Sequence, residues 1–429
     1  MTRFAVTVAA FCLAVSPPTA DAQPAPSATV LVDRDMTTVA GADDVLALQR
    51  VLASLEDRLL PTRFSETTPA THALGIGYRI GKWFALDLPQ DVGVMVVAHE
   101  VFGHGARLRE LGASDVQYHF DAPLPYGDGS ATTVFDQKVL ATASRADVLG
   151  IDAAGIEAQN VLADDIGRQA LAGGPLSYRD AWLYVQSRVA GLLYIQRVSP
   201  QSSPGNDVAD FLQDFNTGCQ PPACRPLGTS DLKRNALVML ADPILVSSAY
   251  GFAVSYLARG QAATALPMIS LPGGLRYLPS FGFAMTPYGT EWTSEHNVRT
   301  GDHLLRVALR FGDAGAARPW GVGVLATHVA RLGPVVADVS ADVWKQPPLD
   351  APPTSPALGA GGLAAATANA PLGRRGSSRL SVTAQLGYKT TGFVPGEPLR
   401  AGPLVRLGLT VALGVTRPVR DRPAGTPDR

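Results

Sequence analysis

Apolar positions along this chain follow two different periods, and the change falls near residue 275. In the first part, Val45, Leu46, Leu48, Val51, Leu52, Leu55 and Leu59 recur at helical spacing and predict a helix over about 43–60. Residues 73–87 alternate imperfectly and predict a strand. The apolar run Val92–Ala98 leads directly into a histidine-containing hexamer, and 91–111 reads as one buried helix stopped by Gly112. Polar alternation, Gly-Asp-Gly and two prolines in 114–136 predict a hairpin or an extended loop. Helical patterns return at 137–172, 177–198, 206–215 and 230–259. The last is apolar enough to suggest a membrane span. Its break at Asp242-Pro243 and its short clean run favour a buried core helix instead.

Beyond 275 the period becomes two. Leu305, Val307, Leu309 and Phe311 alternate with Leu304, Arg306, Ala308 and Arg310, and comparable stretches run through 335–344 and 380–389. About eight such segments between 275 and 416 predict an antiparallel meander. The Gly/Ala/Pro-rich stretch 347–376 reads as a flexible loop inserted in it. The fold class is therefore α+β, a helical zincin-like metal-binding region followed by an antiparallel β-meander. A membrane barrel and a half-buried soluble sheet share this pattern, and both stay open. The polar Pro/Arg-rich tail 417–429 counts against the barrel, because such barrels usually finish on an apolar strand.

The ends point to export. Arg3 supplies a positive start, Phe4–Val15 an apolar core, and Ala20-Asp21-Ala22 a small-x-small cleavage site, so a mature chain would begin near Gln23. The expected organisation is a signal peptide (1–22), a flexible leader (23–41), a mainly helical metal-site domain (42–270), an antiparallel β domain (275–416) and a disordered tail (417–429). The periplasm, the outer membrane or secretion would then be its destination. Cys219 and Cys224 flank Gln-Pro-Pro-Ala, and in an oxidising compartment they read as a local disulfide. A net charge of -1 without a basic patch gives no sign of a nucleic-acid partner. A composition 46% hydrophobic and only 17% charged leaves outer-membrane association open.

The chemistry concentrates in His99-Glu100-Val101-Phe102-Gly103-His104. Two histidines four apart on a helix share a face. Five apart, they would stand about 140° apart on an ideal helix, too far to hold one ion. The helix must absorb one extra residue, as a π-type bulge does. Gly103 sits where backbone freedom would help. Zn2+ held by His99 and His104 would leave Glu100 as general base toward an activated water. Glu100 and His104, spaced i and i+4, form a variant ligand pair that leaves His99 idle. Buried ionisable groups of this kind are costly unless paired or metal-bound.

With Gly105 included, the run resembles the HExxGHG signature of the dipeptidyl peptidase III family, a zincin family whose helix carries the same one-residue insertion. The resemblance implies a third zinc ligand on a later helix, a Glu preceded by another Glu. Glu157, in Gly155-Ile156-Glu157-Ala158-Gln159-Asn160, is the candidate, although Ile156 stands where the family has its first Glu. Asp152, Asp164 and Asp165 are the acidic competitors. The resemblance covers the hexamer, Gly105 and Glu157, so it implies an HExxGH zinc metallopeptidase without the family's substrate preference.

Tyr118 and His119 follow the motif helix closely and are candidates for polarising a substrate carbonyl. No G-x-S-x-G elbow and no phosphate loop occur. The expected activity is that of an exported zinc-dependent peptidase acting on a peptide or protein. The alternative is a non-enzymatic envelope or outer-membrane β-barrel protein with a structural or degenerate metal site.

Overall fold

The computed structural model describes residues 27–60, 66–120, 131–199, 202, 205–372 and 380–413. The expected signal and tail lie outside the described residues. Helix α1 (Thr38–Leu59) starts where the Thr37 side chain accepts the Ala40 N–H. Helix α2 (Pro69–Lys82) opens on a Thr68/Thr71 capping box with Pro69 in its first turn. A π turn, Trp83–Asp87, joins it to α3 (Leu88–His99). A second π turn, Glu100–His104, leads into α4 (Gly105–Glu110), and the chain reverses at Gly112, whose φ is +87°. Residues 73–87 are therefore helical rather than extended. The Thr-Pro start commits them, and Leu74, Gly77, Gly81 and Phe84 share one face at helical spacing.

The hairpin β2 (Gln117–Phe120) and β3 (Ala131–Val134) follows. Then come α5 (Arg145–Gly173), α6 (Tyr178–Arg197), α7 (Asp207–Asn216), α8 (Thr229–Ala236) and α9 (Pro243–Tyr250). The chain bends by 62° at Asp242-Pro243, and no single described helix is long and apolar enough to cross a membrane. A minor two-residue pairing joins β4 (Leu176–Ser177) to β5 (Ala263–Thr264).

The main sheet has ten antiparallel strands. Eight are long: β7 (Arg276–Thr286), β8 (Gly289–Thr300), β9 (His303–Asp313), β10 (Trp320–Leu332), β11 (Val335–Gln346), β12 (Gly359–Pro371), β13 (Leu380–Lys389) and β14 (Gly402–Ala412). Each pairs with the next in sequence. The short β6 (Ile269–Ser270) flanks β7, and β1 (Ser27–Val32) pairs with β14 at the opposite edge. The sheet is an open meander and does not close into a barrel. Two expectations change here. Residues 27–32 of the presumed leader form a strand. The centre of the presumed inserted loop is β12, whose Leu363, Ala365, Thr367 and Asn369 supply an inward row among small outward residues.

The cores lie between helices and sheet. Leu46, Val94, Ala98, Leu162, Ile166 and Tyr184 pack with Leu278 and Leu304 of the sheet. Leu149, Ile156 and Phe211 pack with Phe283 and Met285 of β7. This clamps α3, α5 and α7 together. Cys219 and Cys224 form a disulfide with Cα atoms 5.1 Å apart, just after α7. That bond fits an oxidising, extracytoplasmic setting.

Candidate metal centre

The five-residue spacing of the histidines is resolved by the widened turn. The Gly105 N–H reaches back five residues to the Glu100 carbonyl, the π pattern. Carbonyls exposed by the wider turn find side-chain donors: Thr38 Oγ1 donates to Phe102 O at 2.6 Å and Arg109 Nη2 to Val101 O at 2.9 Å. Gly103 is required for a reason other than backbone freedom. A Cβ there would lie 2.6 Å from the Ala154 carbonyl, so the glycine lets the turn press against α5.

The two imidazoles converge, with Nε2 atoms 3.3 Å apart. The third group is Asp207, at the first turn of α7. Its Oδ2 lies 3.0 Å from His99 Nε2 and 3.3 Å from His104 Nε2. Three donors about 2.0–2.1 Å from a tetrahedral zinc would be spaced about 3.3 Å apart, so this triangle has the dimensions of one face of such a site. Among the described residues, this is the group of three whose donor atoms are close enough to hold a metal ion.

The outer nitrogens are also held. His104 Nδ1 is 2.8 Å from the Ile151 carbonyl, which fixes the proton on Nδ1 and leaves Nε2 free as a donor atom. His99 Nδ1 lies 3.2 Å from the side-chain amide of Gln159. With the carbonyl oxygen of that amide turned to the imidazole, it accepts the Nδ1 proton and again leaves Nε2 free.

Electrostatics favour the charged pair when no ion is bound. Burial works against His104 protonation, but the Asp207 carboxylate outweighs it and raises the imidazole pKa to about 9. Burial likewise opposes ionisation of Asp207, and the two imidazoles hold its carboxyl well below the usual range. Asp152, near by on α5, behaves oppositely. Burial, reinforced by Asp214, Asp210 and Asp207, pushes its carboxyl up to about 8.

Glu100 is buried beside the triad without joining it. It accepts a 2.6 Å hydrogen bond from Thr133 Oγ1 of the β2–β3 hairpin, and its charge acts on His104 and Tyr194. Tyr194, on α6, stands with its ring centroid 6.4 Å from that of His99 and accepts the Asp207 N–H at 3.2 Å. Burial and the Asp207 charge push its hydroxyl pKa upward, so it stays protonated.

Glu157 is not at this point. It accepts two bonds from Arg107 Nη2, at 2.6 and 2.8 Å, and one from the Gly396 N–H at 2.7 Å. The reason is rotational: Gly155 of α5 faces His99, and two residues further on the helix has turned about 200°. Asp164 and Asp165 are engaged by Arg188 and Arg168. Tyr118 accepts from Arg109 Nη1 at 2.8 Å, and His119 is exposed on the next position of β2, so neither is brought to the triad. Asp207 and Tyr194 escape a sequence reading. Asp207 follows the N-capping Asn206 as an ordinary acidic residue of a first helical turn, 103 positions after His104 (207 − 104).

No family model matches this chain, and no curated protein or solved structure compared with it matches either. The resemblance in the hexamer is thus a local one, and the third carboxylate comes from a different element from the one it implied.

Proposed function

We propose that this chain is a zinc-dependent hydrolase, exported from the cytoplasm and acting on peptide bonds. One observation carries the reading: among the described residues, His99, His104 and Asp207 supply three converging donors, with Glu100 held beside them. A closed structural site uses four protein ligands, whereas a catalytic one keeps a position for water and substrate. Zinc bound there would supply a Lewis acid that polarises a carbonyl and ionises water near neutral pH. Glu100 takes the proton of the attacking water and passes it to the leaving amine. Thr133 holds the Glu100 carboxylate in place from the hairpin. Tyr194, kept protonated, is the donor that steadies the developing oxyanion, the role the sequence assigned to Tyr118 or His119.

The test pairs metal analysis with turnover. Purified protein should contain one zinc per chain and cleave a mixed peptide library in a chelator-sensitive way. His99→Ala should lose both properties. Zinc-loaded protein that cleaves no peptide bond would defeat the peptidase reading, and protein that takes up no divalent metal would defeat the whole proposal.

A further inference from the structure

The polarity of the main sheet is inverted. One row runs across six strands through the paired residues Val405, Leu386, Ala366, Val339, Ala326 and Leu305, all on the outer face. The adjacent row, Arg406, Gln385, Thr367 and Asp338, faces inward. The apolar row is the open one, with Leu386 at 62% and Val405 at 50% exposure, while Arg406 is 1% exposed. Inside, Arg406 pairs with Glu397 at 2.6 Å and Asp33 at 3.0 Å, and Arg310 with Asp342 at 2.9 Å. A water-facing antiparallel sheet places these classes the other way round. On the regularly paired outward positions of β9–β14, His303, Asp313 and Lys345 are the acidic or basic residues, all near strand ends, and His328 of the β10 bulge stands 6.3 Å ring to ring from His303.

The inversion recurs on α2 and the π turn after it. Arg79 and Lys82 are buried, Lys82 on Asp87 and on Tyr178 at 2.8 Å, whereas Leu74, Ile80 and Phe84 are exposed. Both edges of the sheet receive hydrogen bonds from helices. The Leu31 N–H of β1 donates to Asp44 of α1 at 2.8 Å, and the Ser27 carbonyl accepts from Arg50 at 2.9 Å. At the other edge, Asn160 of α5 donates to the Phe283 carbonyl at 3.3 Å. Beside β1, α1 continues the apolar surface through Leu48, Val51 and Leu55.

We infer that the outer face of β9–β14, continued over β1 and α1, is covered by the hydrocarbon of a lipid bilayer. The inference is independent of the proposed hydrolase. The occupant follows from shape and pattern. Along β14 the outward apolar positions run from Pro403 to Val411, eight steps or about 26 Å, close to the apolar band of outer-membrane strands. Phe311, Trp320 and Tyr388 stand at one end of that band, beside Lys345, where an interfacial aromatic belt belongs. A second protein copy would match one side of the molecule. The apolar exposure is not confined to one element: it recurs on α2 as well as on the sheet.

The test uses the full chain, purified in detergent and diluted into phosphatidylcholine vesicles. It should float with the vesicles, and lipids brominated on their acyl chains should quench a fluorescence component that Trp320→Phe removes. The double variant Leu386→Arg/Leu407→Arg should reduce the vesicle-bound fraction more than about tenfold, while Ser230→Asp on α8 leaves it unchanged. A wild-type chain that stays out of the vesicles as a soluble monomer overturns the inference. So does a monodisperse dimer that does not float and that the two arginines split, or quenching unaffected by Trp320→Phe. The quenching arm decides the matter even when the double variant does not fold.

Discussion

Gly155 and His99 fit together at a distance that excludes any larger residue: a Cβ on Gly155 would lie 2.2 Å from Cε1 and Nε2 of the His99 ring. The imidazole therefore rests directly on the backbone of α5. Gly155→Ala should push His99 out of the triangle, abolish zinc retention through dialysis, and destabilise the fold by about 1–3 kcal/mol through overpacking. Zinc content and thermal unfolding of the variant check both effects. Normal zinc content would show that the ring has another seat.

Asp207 and Glu157 should separate cleanly on substitution. Asp207→Asn is expected to lose the metal and to lower the stability of the metal-free protein near neutral pH, because it removes the carboxylate that pairs with His104. Glu157→Gln is expected to retain zinc but to lose about 1.5–3 kcal/mol, since it removes one of Arg107's two charged partners and leaves Glu110. Zinc stoichiometry beside urea unfolding reads the two outcomes. Metal loss in the Glu157 variant alone would restore the ligand that the hexamer's resemblance implied.

Glu100→Gln should keep the zinc and lower turnover by about 10²–10⁴-fold, the usual range for removing a general base. Gln159→Leu, on α5 behind the His99 ring, should weaken zinc affinity about 10–100-fold by freeing the outer nitrogen of His99. Competition with a chromogenic chelator measures the second effect. An unchanged affinity would mean that His99 is oriented by packing alone.

Acidity should act on the metal-free protein in a defined direction. His104 is raised from about 6.5 in the unfolded chain to about 9 in the fold, so its contribution is complete below about pH 6.5 and fades as pH rises through about 9. Asp207 is depressed, so its contribution is present above its ordinary carboxylate pKa and is lost on acidification. Chelator-treated protein should accordingly unfold more easily at pH 9.5 than at pH 6. Zinc uptake, which must displace the His104 proton, should release acid below about pH 9. Both are measured by urea titration across pH and by proton release in weakly buffered solution.

The legible parts of this protein were those in which local geometry leaves few choices. Histidines five apart can meet only if the helix widens between them, and it does. The alternation beyond residue 275 resolves into eight long strands, because period-two patterning survives whichever face is buried. The third ligand was not legible, since nothing local distinguishes Asp207 from other acidic residues at helix starts. Residues 73–87 misled because exposed leucine, isoleucine and phenylalanine beside buried Arg79 and Lys82 break the usual rule for which helix face is apolar. Strand β12 was hidden by its own composition, alanine and glycine giving no β-branched signal.

The pairing of β1 with β14 joins Ser27 to Ala412, positions 385 apart (412 − 27). Its six residues cannot find their partner until nearly all the described chain has been made, so α1 and β1 must wait through synthesis of everything between. The meander can grow hairpin by hairpin, each turn bringing its neighbour into register, but its final strand is the first one made. That last docking is a contact of very high sequence separation, and such contacts fold slowly. The rate-limiting event in assembly should therefore be the return of β1 to β14.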